Sequence, residues 1–142
     1  MKKYALAITI CLIAVMVATP VFADIFRITL VPVDIGSGAS GKATVNYVKT
    51  YIDQGVDKIG VRIHCRRLKP YTNYLVGVVD KTAIDKVQVI GGFTTTGNGV
   101  GHFTWVKYLD GKGFDINRFF LVVGFDVLKP ILIDKRPPKE RI

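Results

Sequence analysis

Residues 67–80, RLKPYTNYLVGVVD, constrain the fold more than any other stretch, because they join a turn signal to an unambiguous strand. Pro70 has no amide hydrogen to give a ladder, so it belongs at a turn or an edge. From Thr72 onward the residues alternate, with Tyr74, Val76 and Val78 on one parity, which is the period of two that a half-buried strand requires.

The spacing Leu68-x-Pro70-x-Thr72-x-Tyr74 resembles the corner before a late strand of fibronectin type III and other immunoglobulin-like sandwiches. The resemblance implies a Tyr74 hydroxyl bonded back to upstream backbone and an antiparallel two-sheet domain. It covers about a tenth of the chain. At least three more strand-like segments follow Tyr74, where a type III domain has about one. The resemblance therefore reaches the sandwich and leaves the family open.

The remaining segments agree with a β domain. Residues 25–33 are rich in β-branched and aromatic side chains and lead into a polar, glycine-rich loop. Residues 42–52 fit both a strand and a helical stripe of Ala43, Tyr47, Val48, Tyr51 and Ile52, and their β-branched content favours the strand. Residues 56–66 place Ile59, Val61, Ile63 and Cys65 on one face and Arg62, His64 and Arg66 on the other. Downstream, Val87, Val89 and Phe93 alternate, and Gly91-Gly92 marks a bulge. Gly97-Asn98-Gly99 predicts a hairpin pairing residues 92–96 with 101–109. Residues 118–128 are apolar on both parities, as in a central strand, and 131–133 add a short edge. The expected fold is all-β, a single antiparallel β-sandwich of about seven strands with immunoglobulin-like or related Greek-key topology.

Both ends lie outside that domain. Lys2 and Lys3, an apolar run and the small residue Ala23 form a secretory signal, with cleavage expected after Ala23. Removing residues 1–23 from the 142 leaves 119, enough for one domain that buries about two-thirds of its unfolded surface. It also leaves Cys65 as the one thiol, so packing rather than an internal disulfide must stabilise the domain. The domain is expected to span 24–133, with residues 134–142 as a basic, proline-containing tail. No membrane span is expected after cleavage.

The formal charge falls from +9 to +7 when Lys2 and Lys3 are lost, which favours anionic partners without singling out a nucleic acid. Catalytic and cofactor motifs are weak. Residues 36–41 match G-x-G-x-x-G, but an export signal, a following strand and the lack of later βα units argue against a dinucleotide site. A P-loop would need Ser or Thr where Ala43 stands. His64, His102 and Cys65 have no zinc spacing, no nucleophile elbow is present, and Cys65 shares the parity of a buried, inert thiol. Neither a cofactor nor an enzymatic activity is expected.

What remains is a cationic constellation of Arg62, His64 and Arg66 on one outward face, with Arg67 and Lys69 continuing into the turn. Outward residues two apart on a strand lie about 7 Å from each other, a spacing suited to successive anionic groups. The same charges would also protect an edge strand from pairing with another chain. Tyr71 and Tyr108 are the aromatic pair expected to be exposed. The function expected is an exported, non-catalytic binding or adhesion module engaging an anionic envelope or extracellular partner. The alternatives are an assembly subunit that pairs by strand addition, and an enzyme whose site the sequence does not reveal.

Overall fold

The computed structural model describes residues 21–50, 57–109, 115–126 and 128–136. Eight strands run in the order β1 (Val21–Pro32), β2 (Ser40–Thr50), β3 (Asp57–Arg66), β4 (Asn73–Asp80), β5 (Ala83–Thr94), β6 (Gly101–Leu109), β7 (Phe119–Asp126) and β8 (Lys129–Asp134). All pairings are antiparallel, in one sheet of order β5-β4-β7-β8-β1-β2-β3-β6, rolled into a nearly closed barrel. The expected antiparallel all-β domain is present. Among the described residues its strands are eight rather than about seven, and they join in one continuous sheet rather than in two packed ones. The difference lies in β8, read from sequence as a short edge, which instead sits between β7 and β1 and links them. Pro130 is tolerated there because it falls at a register irregularity opposite Gly124.

Alternation sets the core. Ile28 and Leu30 of β1, Val45 of β2, Ile63 of β3, Val76 of β4, Val123 of β7 and Leu132 of β8 are buried together inside the barrel. As the apolar residues of both parities required, Leu121, Val122 and Val123 of β7 are all buried. Residues 40–50 form β2, as their β-branched content favours; Tyr51 and Ile52 lie outside the described residues. The G-x-G-x-x-G stretch therefore leads into a strand, through a single 3-10 turn at Ile35–Ser37 capped by Asp34.

The Gly97-Asn98-Gly99 turn forms, but the two strands it joins do not make the expected ladder. β5 pairs with β4 and β6 with β3, so β5 and β6 are the two edges of the sheet. Aromatic rings occupy the seam at its upper end. A Cβ at Gly101 would lie 2.1 Å from the Phe93 ring, and one at Gly91 would lie 2.7 Å from the Phe103 ring. Each edge thus provides a glycine on which the other edge's phenylalanine rests, and the rings cover backbone that a ladder would otherwise cover. The register shift between Val76 and Gly77 leaves Ile90 without a partner and confirms the bulge beside Gly91-Gly92. It also reverses the parity of β5: Val89 is exposed, whereas Phe93 stacks on the buried Tyr74 at 5.7 Å.

The Pro70 corner crosses from β3 to β4 directly over this turn. Tyr74 Oη accepts a hydrogen bond from the Lys69 N–H at 3.1 Å, the back-bonded tyrosine that the motif implies. Thr95, buried, donates its hydroxyl to the Lys69 carbonyl at 2.6 Å and accepts from the Thr72 N–H at 2.9 Å. Leu68 N–H reaches the Gly99 carbonyl at 3.0 Å.

The termini differ from expectation in one respect. Asp134, taken from the sequence as the first tail residue, closes β8 and is buried; Arg136 is anchored beside it. Residues 137–142 and residues 1–20, most of the expected signal at 1–23, lie outside the described residues. β1 begins at Val21, so cleavage after Ala23 would leave Asp24, opposite Tyr47, as the first residue of that strand.

Candidate cationic face

β3 carries the clearest alternation in the barrel: Asp57, Ile59, Val61, Ile63 and Cys65 are buried, while Lys58, Arg62 and Arg66 are exposed and His64 is half-buried. Burying one parity forces the other outward, and Arg62, His64 and Arg66 share the outer surface as their spacing predicts. Arg67 and Lys69 do not extend that row. They lie in the β3–β4 crossing, where Arg67 takes a left-handed backbone (φ 57°) and its side chain lies against Gly38.

β3 is not an edge. It pairs with β2 on one side and β6 on the other, so charge on it cannot serve as edge protection. Registration instead sets it among further cations. One row across the barrel wall reads Thr29, Lys42, His64, His102; the next reads Arg27, Thr44, Arg62, Thr104. Strands are about 4.8 Å apart, so these rows bring Arg27 and Lys42 into the surface of Arg62 and Arg66. No Asp or Glu occupies an outward position in either row. Among the described residues the two salt bridges are Arg118–Asp80 and Arg136–Asp134, both elsewhere. Arg27, Lys42 and His102 are the residues that sequence reasoning missed. Their own parity was readable, but not which strands lie side by side.

At the centre, Arg66 Nε–H donates to His64 Nε2 at 2.9 Å, and His64 Nδ1 lies 3.0 Å from His102 Nδ1. With Nε2 accepting from a guanidinium, the neutral His64 ring carries its proton on Nδ1 and donates it to His102. Desolvation, then the neighbouring His102, then Arg66 hold the His64 pKa below its ordinary 6.5. The His64 ring is therefore uncharged at neutral pH, and the fixed charge of the face comes from Arg27, Lys42, Arg62 and Arg66. Beyond it, Lys58 lies 5.8 Å from the ring of Tyr108, which is exposed, as is Tyr71.

Cys65 is fully buried, and burial pushes its thiol up to about 12. Almost no thiolate exists at neutral pH, so Cys65 should react with a disulfide probe only at the rate of unfolding. Stopped labelling with and without urea checks this, and fast labelling of the native protein would contradict the packing described. Among the described residues no three His, Cys, Asp or Glu gather into a metal-binding group. Nor is any helix among them long and apolar enough to cross a membrane.

Fold and surface together define an antiparallel, nearly closed eight-stranded barrel with a cationic, acid-free wall. No protein-family model, no curated protein and no solved structure matches the chain.

Proposed function

We propose that this protein is an exported, non-catalytic binding module that engages an anionic polymer or protein surface through the outward face of β1, β2, β3 and β6. The observation that carries the reading is the set of four cations, Arg27, Lys42, Arg62 and Arg66, on one hydrogen-bonded wall without an ion pair among the described residues. Burying a charge's water shell is costly, but an exposed cation beside threonine hydroxyls can meet a phosphate, sulfate or carboxylate while both stay partly hydrated. Export rests on the signal pattern of residues 1–23.

Changing Arg62 and Arg66 together to Gln should weaken retention on a heparin-type or polyphosphate column and make its salt dependence shallower, since fewer counterions are displaced. Folding should change by no more than about 0.5 kcal/mol, because both side chains are exposed. Unchanged retention in a normally folded double variant would remove this face from consideration.

Acidification adds a second test. An anion bound beside His64 favours the charged ring, so binding takes up a proton and retention should rise as pH falls below the ordinary histidine value. Stability should move the other way. The folded ring holds its proton less tightly than the unfolded one, so His64's contribution is complete above 6.5 and is lost as pH falls toward the folded pKa. Retention that is flat with pH would exclude His64 from the contact.

Strand addition is the second reading, supported by the open edges of β5 and β6. Complexes of that kind would persist in high salt, where the cationic face releases its partner.

A further inference from the structure

The inside of the same barrel is not filled. A cavity of about 660 Å³ lies in the half away from the Pro70 corner. Pockets that hold small molecules span about 300–1,000 Å³ and are mainly apolar with a few polar groups. Val45, Val61, Val78, Ile90, Trp105 and Leu121 line this one. They come from six strands on both sides of the β5–β6 seam, and the bulge is what delivers Ile90 to it. An eight-stranded barrel has an interior just wide enough either to be packed by its own side chains or to hold one small ligand. Here the upper half is packed by Phe93, Phe103 and Tyr74, and the lower half is left open.

The charged members of the lining show what such a ligand must carry. Arg118 is committed to Asp80 through Nε and Nη2, at 2.6 to 3.1 Å. Arg136 is committed to Asp134. Asp115 accepts from the Asn117 N–H. That leaves Lys107, exposed on β6 and one register position from Trp105 on the same face, as the lining cation with no ion pair among the described residues. The seam beside it has no ladder to break on entry.

We propose that this cavity binds a single-chain amphiphile, with the apolar chain among Val45, Val61, Val78 and Ile90 and an anionic head group at Lys107. The site is separate from the cationic wall: it uses the inward parity of β3 and β6, whereas the wall uses the outward one.

Trp105 is the single tryptophan of the chain and reports on the cavity directly. Titration of the purified protein with dodecanoate, below its micelle concentration, should give a saturable one-to-one change in Trp105 emission. Dodecyltrimethylammonium has the same chain with the opposite head, and should bind at least about ten-fold more weakly. Lys107→Gln should weaken dodecanoate by about ten-fold and leave dodecanol unchanged, since only a charge-assisted contact is lost. The Arg62→Gln, Arg66→Gln double variant should bind dodecanoate as the parent does, so failure of the wall and failure of the cavity are read separately. No saturable response to dodecanoate overturns the proposal, as does equal affinity for the two charged heads or indifference to Lys107→Gln. Lys107 is exposed, so its variant is expected to fold normally.

Discussion

Replacing Arg136 with Ala is expected to destabilise the domain by about 3–5 kcal/mol, which for a domain of this size is a large share of the whole. The Asp134 side chain has no exposed surface, and Arg136 Nη2 sits 2.6 Å from its carboxylate. The same guanidinium donates to the carbonyls of Ile116 at 3.0 Å and Phe119 at 2.7 Å. Truncation would thus strand one buried carboxylate and two carbonyls at once, and would untie the end of β8 from the 3-10 turn at Ile116–Arg118 that enters β7. The loss should be much smaller when the partner is removed as well. An apolar pair, Asp134→Leu with Arg136→Met, leaves no orphaned charge and should recover most of the stability. Urea midpoints of the single and paired variants measure this. A loss under about 1 kcal/mol for Arg136→Ala would show that the ion pair is a surface feature, contrary to its burial.

Gly99→Ala is expected to cost about 3 kcal/mol or more, from two sources that act together. Gly99 has φ 71°, a left-handed conformation that costs an L side chain about 1–2 kcal/mol. Its added Cβ would also lie 2.2 Å from the Leu68 carbonyl oxygen, so the β3–β4 crossing must lift and break the hydrogen bond between Leu68 N–H and the Gly99 carbonyl. Backbone faces backbone here, so no side-chain rotation can relieve the overlap. Gly60→Ala is the matched control: it lies in β3 with its nearest new contact at 4.0 Å, and should change stability by less than about 1 kcal/mol. Thermal unfolding of the two variants distinguishes a general intolerance of alanine from the close approach at Gly99. Equal effects at both positions would sink the claim that the crossing packs directly over this turn.

These two positions also mark where the amino-acid sequence stops being readable. The strands themselves follow from alternation, a property of neighbours two apart, and so β1 to β7 and the outward direction of Arg62, His64 and Arg66 were legible. The burial of Cys65 was legible on the same ground, from its parity with Val61 and Ile63. The Tyr74 hydrogen bond, which spans only five residues, was implied by the resemblance of residues 68–74 rather than by alternation.

Pairing is a different matter, because it is decided between segments tens of residues apart. Asn98-Gly99 signals a turn, yet whether the flanking strands form a ladder depends on what else competes for their edges. β4 and β3 captured β5 and β6, and Phe93 and Phe103 were placed in the seam on glycines that belong to the opposite strand. β8 became an interior strand for the same reason, since β7 and β1 each offered it an edge. The cationic wall is legible in part: alternation aims each cation outward, but only registration puts Arg27 and Lys42 beside Arg62. The cavity was not legible at all. Its walls come from strands across the whole chain, and its volume is the space their side chains fail to fill, a quantity that exists only once the sheet has closed on itself.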